Sequence, residues 1–248
     1  MQTSLKNKTA IVTGASRGIG RKIALKLGEL GAAVVVNYVN NAQQAKAVSS
    51  EIISRGGRAL PVQADMRNID AIEALFDRAI EAFGALNILV NNAGISLYKK
   101  IEDFTEEEFD TLFAINVKGL FFACRQAAKK MANGGKIINI SSSVTRMMIP
   151  TYGAYAASKG AVDQITKVLA KELGPKRIQV NAISPGPVDT ELFRRGKSEE
   201  QIKVFADMSA FGRIGTPRDV ANAIAFLVSE ESGWITGQNI YVNGGVVS

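Results

Sequence analysis

The chain has 248 residues, of which 46% are hydrophobic, and its formal net charge is +7. This composition excludes a disordered chain and predicts one folded domain over residues 1–248. The single cysteine, Cys124, excludes an intrachain disulfide, and the absence of histidine excludes a Ser-His-Asp triad and makes a metal site unexpected.

The basic residues are scattered along the chain. We therefore expect a solvated surface and no nucleic-acid partner, although an anionic cofactor or an acidic partner is compatible with this charge. No stretch approaches the roughly 20 uninterrupted apolar residues of a membrane span. Because the first eight residues also lack the apolar core of a signal peptide, we expect no membrane association and a cytoplasmic location.

Strand-like and helix-like patterns alternate along the chain. The strand-like segments are rich in valine, isoleucine and leucine, which is typical of strands covered on both faces. The predicted strands are 9–13, 33–38, 58–63, 86–91, 136–141, 178–184 and 239–242, and the predicted helices are 18–30, 42–55, 69–83, 105–131, 152–173 and 218–228. This order predicts an α/β fold with a parallel, doubly wound sheet and helices on both faces.

A glycine-rich turn joins the first predicted strand to the first predicted helix. It reads Thr-Gly-Ala-Ser-Arg-Gly-Ile-Gly over residues 13–20. Glycines let the backbone turn sharply and approach a pyrophosphate, and the free N–H groups at a helix start attract negative charge. The spacing differs from G-x-G-x-x-G, so the turn alone is a weak indicator. Small and hydrogen-bonding residues also end the other strands, where ligands of open α/β sheets bind.

The segment 185–216 interrupts the alternation of strands and helices. It combines proline, glycine and mixed charges around a short amphipathic piece, 199–208. Excursions of this length in a compact domain are often functional. We expect a substrate lid near residues 187–215.

Tyr155 is followed four residues later by Lys159, a spacing that places both side chains on one helix face. A tyrosine hydroxyl titrates near ~10, which is too high for useful proton exchange at neutral pH. A nearby ammonium stabilises the phenolate and lowers that pKa. The pair is therefore a candidate acid–base site, although the spacing alone is common.

Taken together, these motifs resemble those of the short-chain dehydrogenases/reductases. The motifs are the turn 13–20, the stretch 91–94 (Asn-Asn-Ala-Gly), Asn116, Ser142, the stretch 155–159 (Tyr-Ala-Ala-Ser-Lys) and Pro185-Gly186. Their order matches the family over essentially the whole chain. The resemblance implies a Rossmann-type fold with a seven-stranded sheet and a homotetrameric assembly.

The resemblance also implies the catalytic roles. Tyr155 would protonate the carbonyl oxygen, Lys159 would hold the nicotinamide ribose and lower the tyrosine pKa, and Ser142 would hydrogen-bond to the substrate oxygen. Asn116 would kink its helix and help to hold a water-linked proton path to Lys159. Three serines, 141–143, compete for the serine role; family spacing selects Ser142, and strand alternation would point the other two away.

The expected cofactor is NADP(H). NAD-preferring relatives place an acid at the end of the second strand, where it accepts from the ribose 2′-OH. Here Asn37 stands near that end, no acid occurs between Glu29 and Glu51, and Arg17 could face a 2′-phosphate. The expected cofactor-binding residues are Gly14, Ser16, Arg17, Gly18, Ile19, Gly20, Asn37, Asp65, Met66, Asn92, Ala93, Gly94, Tyr155, Lys159, Pro185, Gly186, Val188 and Thr190.

The expected substrate is a hydrophobic aldehyde or ketone. Its walls would be the Tyr98 loop, the 145–152 loop and the 192–211 part of the lid. The apolar residues assigned to these walls are Met147, Met148, Ile149, Phe193, Phe205, Met208 and Phe211.

Three functions are open from the sequence. The lid and the chain ending favour an NADPH-dependent aldehyde or carbonyl reductase. The alternative is a 3-oxoacyl-acyl-carrier-protein reductase, because Lys129, Lys130, Lys171 and Lys176 could meet an acidic carrier protein; the stretch after residue 94 and Pro187 depart from that group's usual pattern. A non-catalytic NADP(H)-binding regulator is less expected, since such proteins usually lose the tyrosine or the lysine.

Overall fold

The computed structural model describes residues 4–247, which form a sheet of seven parallel strands. The strands are β1 (Thr9–Val12), β2 (Ala33–Tyr38), β3 (Arg58–Gln63), β4 (Ile88–Asn91), β5 (Lys136–Ile140), β6 (Gln179–Pro185) and β7 (Asn239–Val242). Their order is β3-β2-β1-β4-β5-β6-β7. The winding reverses between β1 and β4, and ligands of such sheets bind in the crevice beyond the carboxyl ends there. The predicted doubly wound α/β fold and its seven strands are confirmed.

Ten α-helices flank the sheet among residues 4–247. They are α1 (Gly18–Glu29), α2 (Ala42–Ser54), α3 (Ile69–Phe83), α4 (Glu106–Phe113), α5 (Leu120–Lys130), α6 (Val144–Met147), α7 (Gly153–Glu172), α8 (Glu191–Arg194), α9 (Glu199–Asp207) and α10 (Pro217–Leu227). Short 3₁₀ turns lie at Ile101–Asp103, Gly174–Lys176 and Glu230–Ser232.

The helices form two layers with a hydrophobic core on each face of the sheet. Helices α1, α2 and α10 pack on one face around Ile23 and Ile224. Helices α3, α5 and α7 pack on the other around Phe76 and Val162. Cys124 is buried in this second core, and burial raises the pKa of its thiol to about 12. Because both faces of the central strands are covered, those strands read as continuous apolar runs.

The predicted helix 105–131 is interrupted. It begins with the capping box of Thr105 and Glu108 that stabilises the start of α4. A π-helical segment, Ala114–Gly119, then separates α4 from α5. Such π turns inside helices occur frequently at functional sites, and this one carries Asn116.

The segment 187–215 folds over the carboxyl end of the sheet and contains α8 and α9. Its two ends meet in a parallel bridge between Val188 and Gly215. The bridge is held by hydrogen bonds from Gly215 N to Pro187 O (2.8 Å) and from Asp189 N to Gly215 O (2.9 Å). Neither α6 nor α8, each a single turn, was expected from the sequence. Within residues 4–247, none of the helices has the length and apolarity needed to cross a membrane.

Candidate active site

The glycine-rich turn between β1 and α1 has a backbone that only glycine accommodates easily. Gly14 has φ of +61°, and a Cβ on Gly20 would clash with the Gly14 carbonyl oxygen. No acidic residue lies in the first turn of α1, and no side chain caps its N-terminus. The free N–H groups there can receive an anion.

The side chains of two asparagines form hydrogen bonds with the backbone of this turn. Asn92, after β4, donates from Nδ2 to the carbonyl oxygens of Thr13 (2.9 Å) and Gly14 (3.1 Å). Asn37, in β2, accepts from the Gly14 N–H at 3.1 Å and donates to the Ala64 carbonyl at 3.0 Å. The two side chains connect the turn to the neighbouring strands.

The position of Asn37 corrects the expectation that it contacts the cofactor. Its side chain is completely buried, and both ends of its amide are engaged with the backbone. It lies beneath the turn and positions Gly14. A contact with a 2′-phosphate would require breaking these hydrogen bonds.

A cavity of about 250 Å³ extends from the glycine-rich turn to the lid. It brings together most of the residues expected at the site, namely Gly14, Arg17, Gly18, Ile19, Gly20, Asn92, Ala93, Gly94, Ser142, Tyr155, Lys159, Pro185, Gly186, Val188 and Thr190. The expected residues outside its lining are Ser16, Asn37, Asp65, Met66 and Asn116. Asp65 is ion-paired with Arg67 at 2.6 Å, which lowers the pKa of its carboxyl, and Met66 is buried.

Helix α7 places Tyr155 and Lys159 one turn apart beside the end of β5. The buried Lys159 ammonium donates to the Ile140 carbonyl at 2.8 Å and lies 5.9 Å from the centre of the Tyr155 ring. Burial lowers the pKa of Lys159 to about 8, while the Asp163 carboxylate acts in the opposite direction. The ammonium charge is therefore sensitive to mildly alkaline pH.

Tyr155 is partly accessible as a residue, but protein atoms surround its phenol. Burial raises the pKa of this phenol above the usual 10.0, Tyr98 adds to the rise, and Ser142 acts in the opposite direction. The structure places the Lys159 ammonium at the Ile140 carbonyl, and its expected effect on the tyrosine pKa stays a prediction. A raised pKa keeps the phenol protonated at neutral pH.

The three serines after β5 have different partners. Ser141 Oγ is buried and donates to the Lys159 carbonyl at 3.3 Å, and Ser143 Oγ is buried and donates to the Ser184 carbonyl at 3.3 Å. Ser142 Oγ accepts from the Val144 N–H at 3.3 Å, which leaves its proton available. This arrangement favours Ser142 as the donor that faces the cavity.

Asn116 connects the π-helical segment to two other parts of the site. Its Oδ1 accepts from the Ile95 N–H, and its Nδ2 donates to the Ile95 carbonyl, both at 2.9 Å. Nδ2 also lies 3.1 Å from Ser158 Oγ, which itself donates to the Tyr155 carbonyl at 2.7 Å. Asn116 therefore braces α7 behind Tyr155, and the water-linked proton path stays a prediction.

The lid contacts the glycine-rich turn through an ion pair. Arg17 Nη1 donates to both carboxylate oxygens of Glu191, at 3.0 and 3.1 Å. Glu191 also accepts from Arg195 at 3.3 Å. Nearby, Thr190 caps α8 by accepting from the Phe193 N–H at 3.1 Å. The cation that was expected to meet a phosphate is thus already paired with a lid carboxylate.

Aromatic rings form one wall of the substrate end of the cavity. The centres of the Tyr98 and Tyr152 rings are 4.3 Å apart with the planes tilted by 32°, Tyr155 stands edge-on to Tyr98 at 6.1 Å, and Phe193 stands edge-on to Phe205 at 5.4 Å. All five rings line the cavity.

The other residues assigned to the substrate walls divide into two groups. Met147 and Ile149 line the cavity together with the aromatic rings. Met148, Met208 and Phe211 are exposed and lie outside the lining, which corrects their assignment as walls.

The chain is similar to known proteins over nearly its whole length. A family profile described as "Enoyl-(Acyl carrier protein) reductase" matches residues 14–247. A "Short-chain type dehydrogenase/reductase" of Picea abies is 46% identical to the chain, covering 98% of this chain and 93% of the relative. The chain belongs to the short-chain dehydrogenase/reductase family. Its oxidoreductase chemistry follows from that membership.

Two further members are informative about this dehydrogenase/reductase. An Arabidopsis thaliana protein described as "NADPH-dependent aldehyde reductase-like protein, chloroplastic" is 45% identical, covering 98% of this chain and 95% of the relative. The structure of the angucycline C-6 ketoreductase LanV with bound NADP superposes with a TM-score of 0.93 at 40% identity, covering 98% of this chain and 97% of that one.

Several residues of this dehydrogenase/reductase site were not found from the sequence. Ser158 links Asn116 to α7, and Glu191 pairs with Arg17. The loops of Tyr98 and Tyr152 were expected as substrate walls, but the contact between the two rings was not. The partners in these contacts are far apart in the chain, so local spacing carries no signal for them.

Proposed function

We propose that this protein reduces an aldehyde or ketone to an alcohol with NADPH, with Tyr155 as the general acid. The observation that carries the proposal is the Tyr155 phenol beside Ser142 in a cavity that continues to a glycine-rich phosphate cradle. The expected NADP(H) cofactor is confirmed by the NADP bound to LanV and by the NADPH-dependent description of the Arabidopsis relative. Those two proteins also support a carbonyl substrate.

The residues of the cradle fit a dinucleotide phosphate. A Cβ at Gly20 would fill the space against Gly14, and the uncapped start of α1 offers N–H groups to an anion. Arg17 provides a cation at the edge of the same turn. Lys159 and Thr190 stand further along the cavity, where they would hold the nicotinamide end.

Three residues of the chain have separate roles at the carbonyl group of the substrate. Bound NADPH would supply the hydride to the carbonyl carbon. Ser142 donates a hydrogen bond to the carbonyl oxygen and orients it, and Tyr155 delivers its proton to that oxygen as the carbon–oxygen double bond becomes single. Lys159, held at the Ile140 carbonyl, supplies positive charge near the phenolate that forms.

A turnover assay tests this function. Purified protein would be mixed with NADPH and a panel of hydrophobic aldehydes and ketones, and oxidation of NADPH would be followed by absorbance. Tyr155→Phe should reduce kcat by roughly 10²-fold or more, with little change in nucleotide binding. Tyr152→Phe is the matched control, because its ring lines the same cavity. Nucleotide binding without turnover on any carbonyl compound would favour the regulator.

One observation supports the alternative, a 3-oxoacyl-acyl-carrier-protein reductase, and another opposes it. The matching family profile is described by an acyl-carrier-protein reaction. However, Lys130 is ion-paired with Asp77 and Glu73, and Lys176 donates to the Ala128 carbonyl at 2.7 Å. Only half of the expected docking lysines are then available to a carrier. A 3-oxoacyl thioester tested on the carrier protein and as the free pantetheine derivative separates the two functions.

We also propose a homotetramer, a cytoplasmic location and one domain that includes the lid. Exposed apolar side chains on α4, α5 and α7 support self-association, since Phe109, Phe121 and Val168 are 43, 51 and 56% exposed. Light scattering during size-exclusion chromatography measures the assembly. Cell fractionation tests the location, which matters because one relative is described as chloroplastic.

A further inference from the structure

Lys197, in the lid, is held against two aromatic rings. Its Nζ lies 5.0 Å from the ring centre of Tyr98 in the body and 5.0 Å from that of Phe193 in the lid. Both rings line the substrate cavity. The ammonium therefore lies at the edge of the aromatic wall, where the lid meets the body.

This lysine differs from the other cations of its segment. Between 187 and 215, Arg194, Arg195, Lys203 and Arg213 each have a carboxylate partner. Across residues 4–247, no carboxylate lies within 4.0 Å of Lys197 Nζ, although the lid is rich in acidic residues. Partial burial lowers the pKa of Lys197, which indicates an ammonium that has lost some water without gaining a counter-charge. Cation–π contact compensates for part of this loss.

We propose that Lys197 binds an anionic oxygen group on the substrate, so that the preferred substrates are aromatic aldehydes or ketones carrying a carboxylate or an ionised phenol. The tilted rings of Tyr98 and Tyr152 form an aromatic wall against which a substrate ring can pack. The carbonyl end lies at Tyr155, which is edge-on to Tyr98 at 6.1 Å. Lys197 Nζ lies 5.0 Å from the same Tyr98 ring, so Tyr98 connects the two ends of the proposed substrate site.

The proposal rests on the proposed function for the carbonyl end, but its test does not depend on turnover. Two ketones of the same shape are compared, 4-acetylbenzoate and its neutral methyl ester. Their dissociation constants are measured by titration calorimetry, with and without saturating NADP⁺, which cannot reduce them. Wild-type protein is compared with Lys197→Met and Lys197→Arg. Lys203→Met serves as the matched control, since Lys203 is ion-paired with Asp207.

We expect Lys197→Met to weaken binding of the carboxylate about tenfold and to change binding of the ester less than twofold. Lys197→Arg should retain most of the affinity, and Lys203→Met should have no effect. Added salt should weaken only the carboxylate in the wild type. Thermal melting of each variant verifies that it is folded.

Three results would overturn the anion site, and a fourth would separate it from the proposed function. If Lys197→Met weakens binding of both ketones equally, the lysine only holds the lid against the body and does not bind the carboxylate. No effect on either, or no binding of either to the wild type, would remove it from the site altogether. Lys197-dependent binding of the carboxylate without any NADPH-dependent reduction would support the anion site and contradict the proposed function.

Discussion

Replacing Glu191 with glutamine should strengthen NADPH binding selectively. Glu191 occupies Arg17 through two contacts, at 3.0 and 3.1 Å, and a 2′-phosphate at the glycine-rich turn would compete for the same guanidinium. Glutamine keeps the size of the side chain and removes its charge, so the competition is lost. NADH has no 2′-phosphate and should be bound as before.

The structure limits the size of this effect. The Arg17 and Glu191 side chains are 54 and 62% exposed, so solvent screens their attraction. Exposed ion pairs contribute about 0.2–1 kcal/mol, which corresponds to a factor of about 1.4–5 in affinity. We also expect a smaller preference for NADPH over NADH than an unpaired arginine would give, because Arg17 must leave the Glu191 carboxylate to bind a 2′-phosphate.

The assay is an equilibrium titration of nucleotide fluorescence at one fixed ionic strength. The dissociation constants of NADPH and NADH are measured for the wild type, Glu191→Gln and Arg17→Met. Arg17→Met should weaken NADPH only, and the double variant should match Arg17→Met. An equal change for both nucleotides in Glu191→Gln, or an unchanged NADPH-to-NADH ratio in Arg17→Met, refutes the competition.

Three further predictions concern the reaction and the fold. Ser142→Ala should lower kcat/KM because it removes about 3 kcal/mol of transition-state stabilisation. Ser143→Ala should have a smaller effect, because Ser143 donates to the Ser184 backbone carbonyl. Equal losses of kcat/KM in the two variants would contradict this assignment. The rate of carbonyl reduction should be constant below about pH 8 and fall as pH rises through that value, since Lys159 then loses its proton; a pH–rate profile flat to pH 10 (roughly the ordinary lysine pKa) would disagree. Asn37→Asp should lower stability by about 1–3 kcal/mol, measured by urea unfolding, because a carboxylate cannot donate to the Ala64 carbonyl; an unaffected midpoint would count against that positioning role.

The fold was predictable because its information is local. The apolar strand runs, the glycine at each turn and the Thr105–Glu108 cap are all read from neighbouring residues. The resemblance implied a kink at Asn116, but the π-helical hydrogen-bond pattern of Ala114–Gly119 was not predicted.

Site residues that belong to a sequence motif could be predicted. Contacts between residues far apart in the chain could not. Tyr155, Lys159 and the glycine-rich turn follow from spacing and resemblance. Asn37 was expected to contact the cofactor because it stands near the end of β2. Its hydrogen bonds to Gly14 and Ala64, which are 23 and 27 residues away, could not be seen from the neighbouring sequence. The partner of Arg17 is 174 residues away, so no local pattern shows that the cation is already paired.

The bridge between Val188 and Gly215 makes the lid a closed loop on the sheet. Both ends of the lid leave the body at one point, joined by backbone hydrogen bonds that do not depend on side chains. Lengthening a loop closed in this way costs little, because closure entropy grows slowly with length. Residues 191–214 can therefore be exchanged for a segment of different size and chemistry, which would redesign substrate selectivity while Thr190 and the rest of the cofactor site are kept.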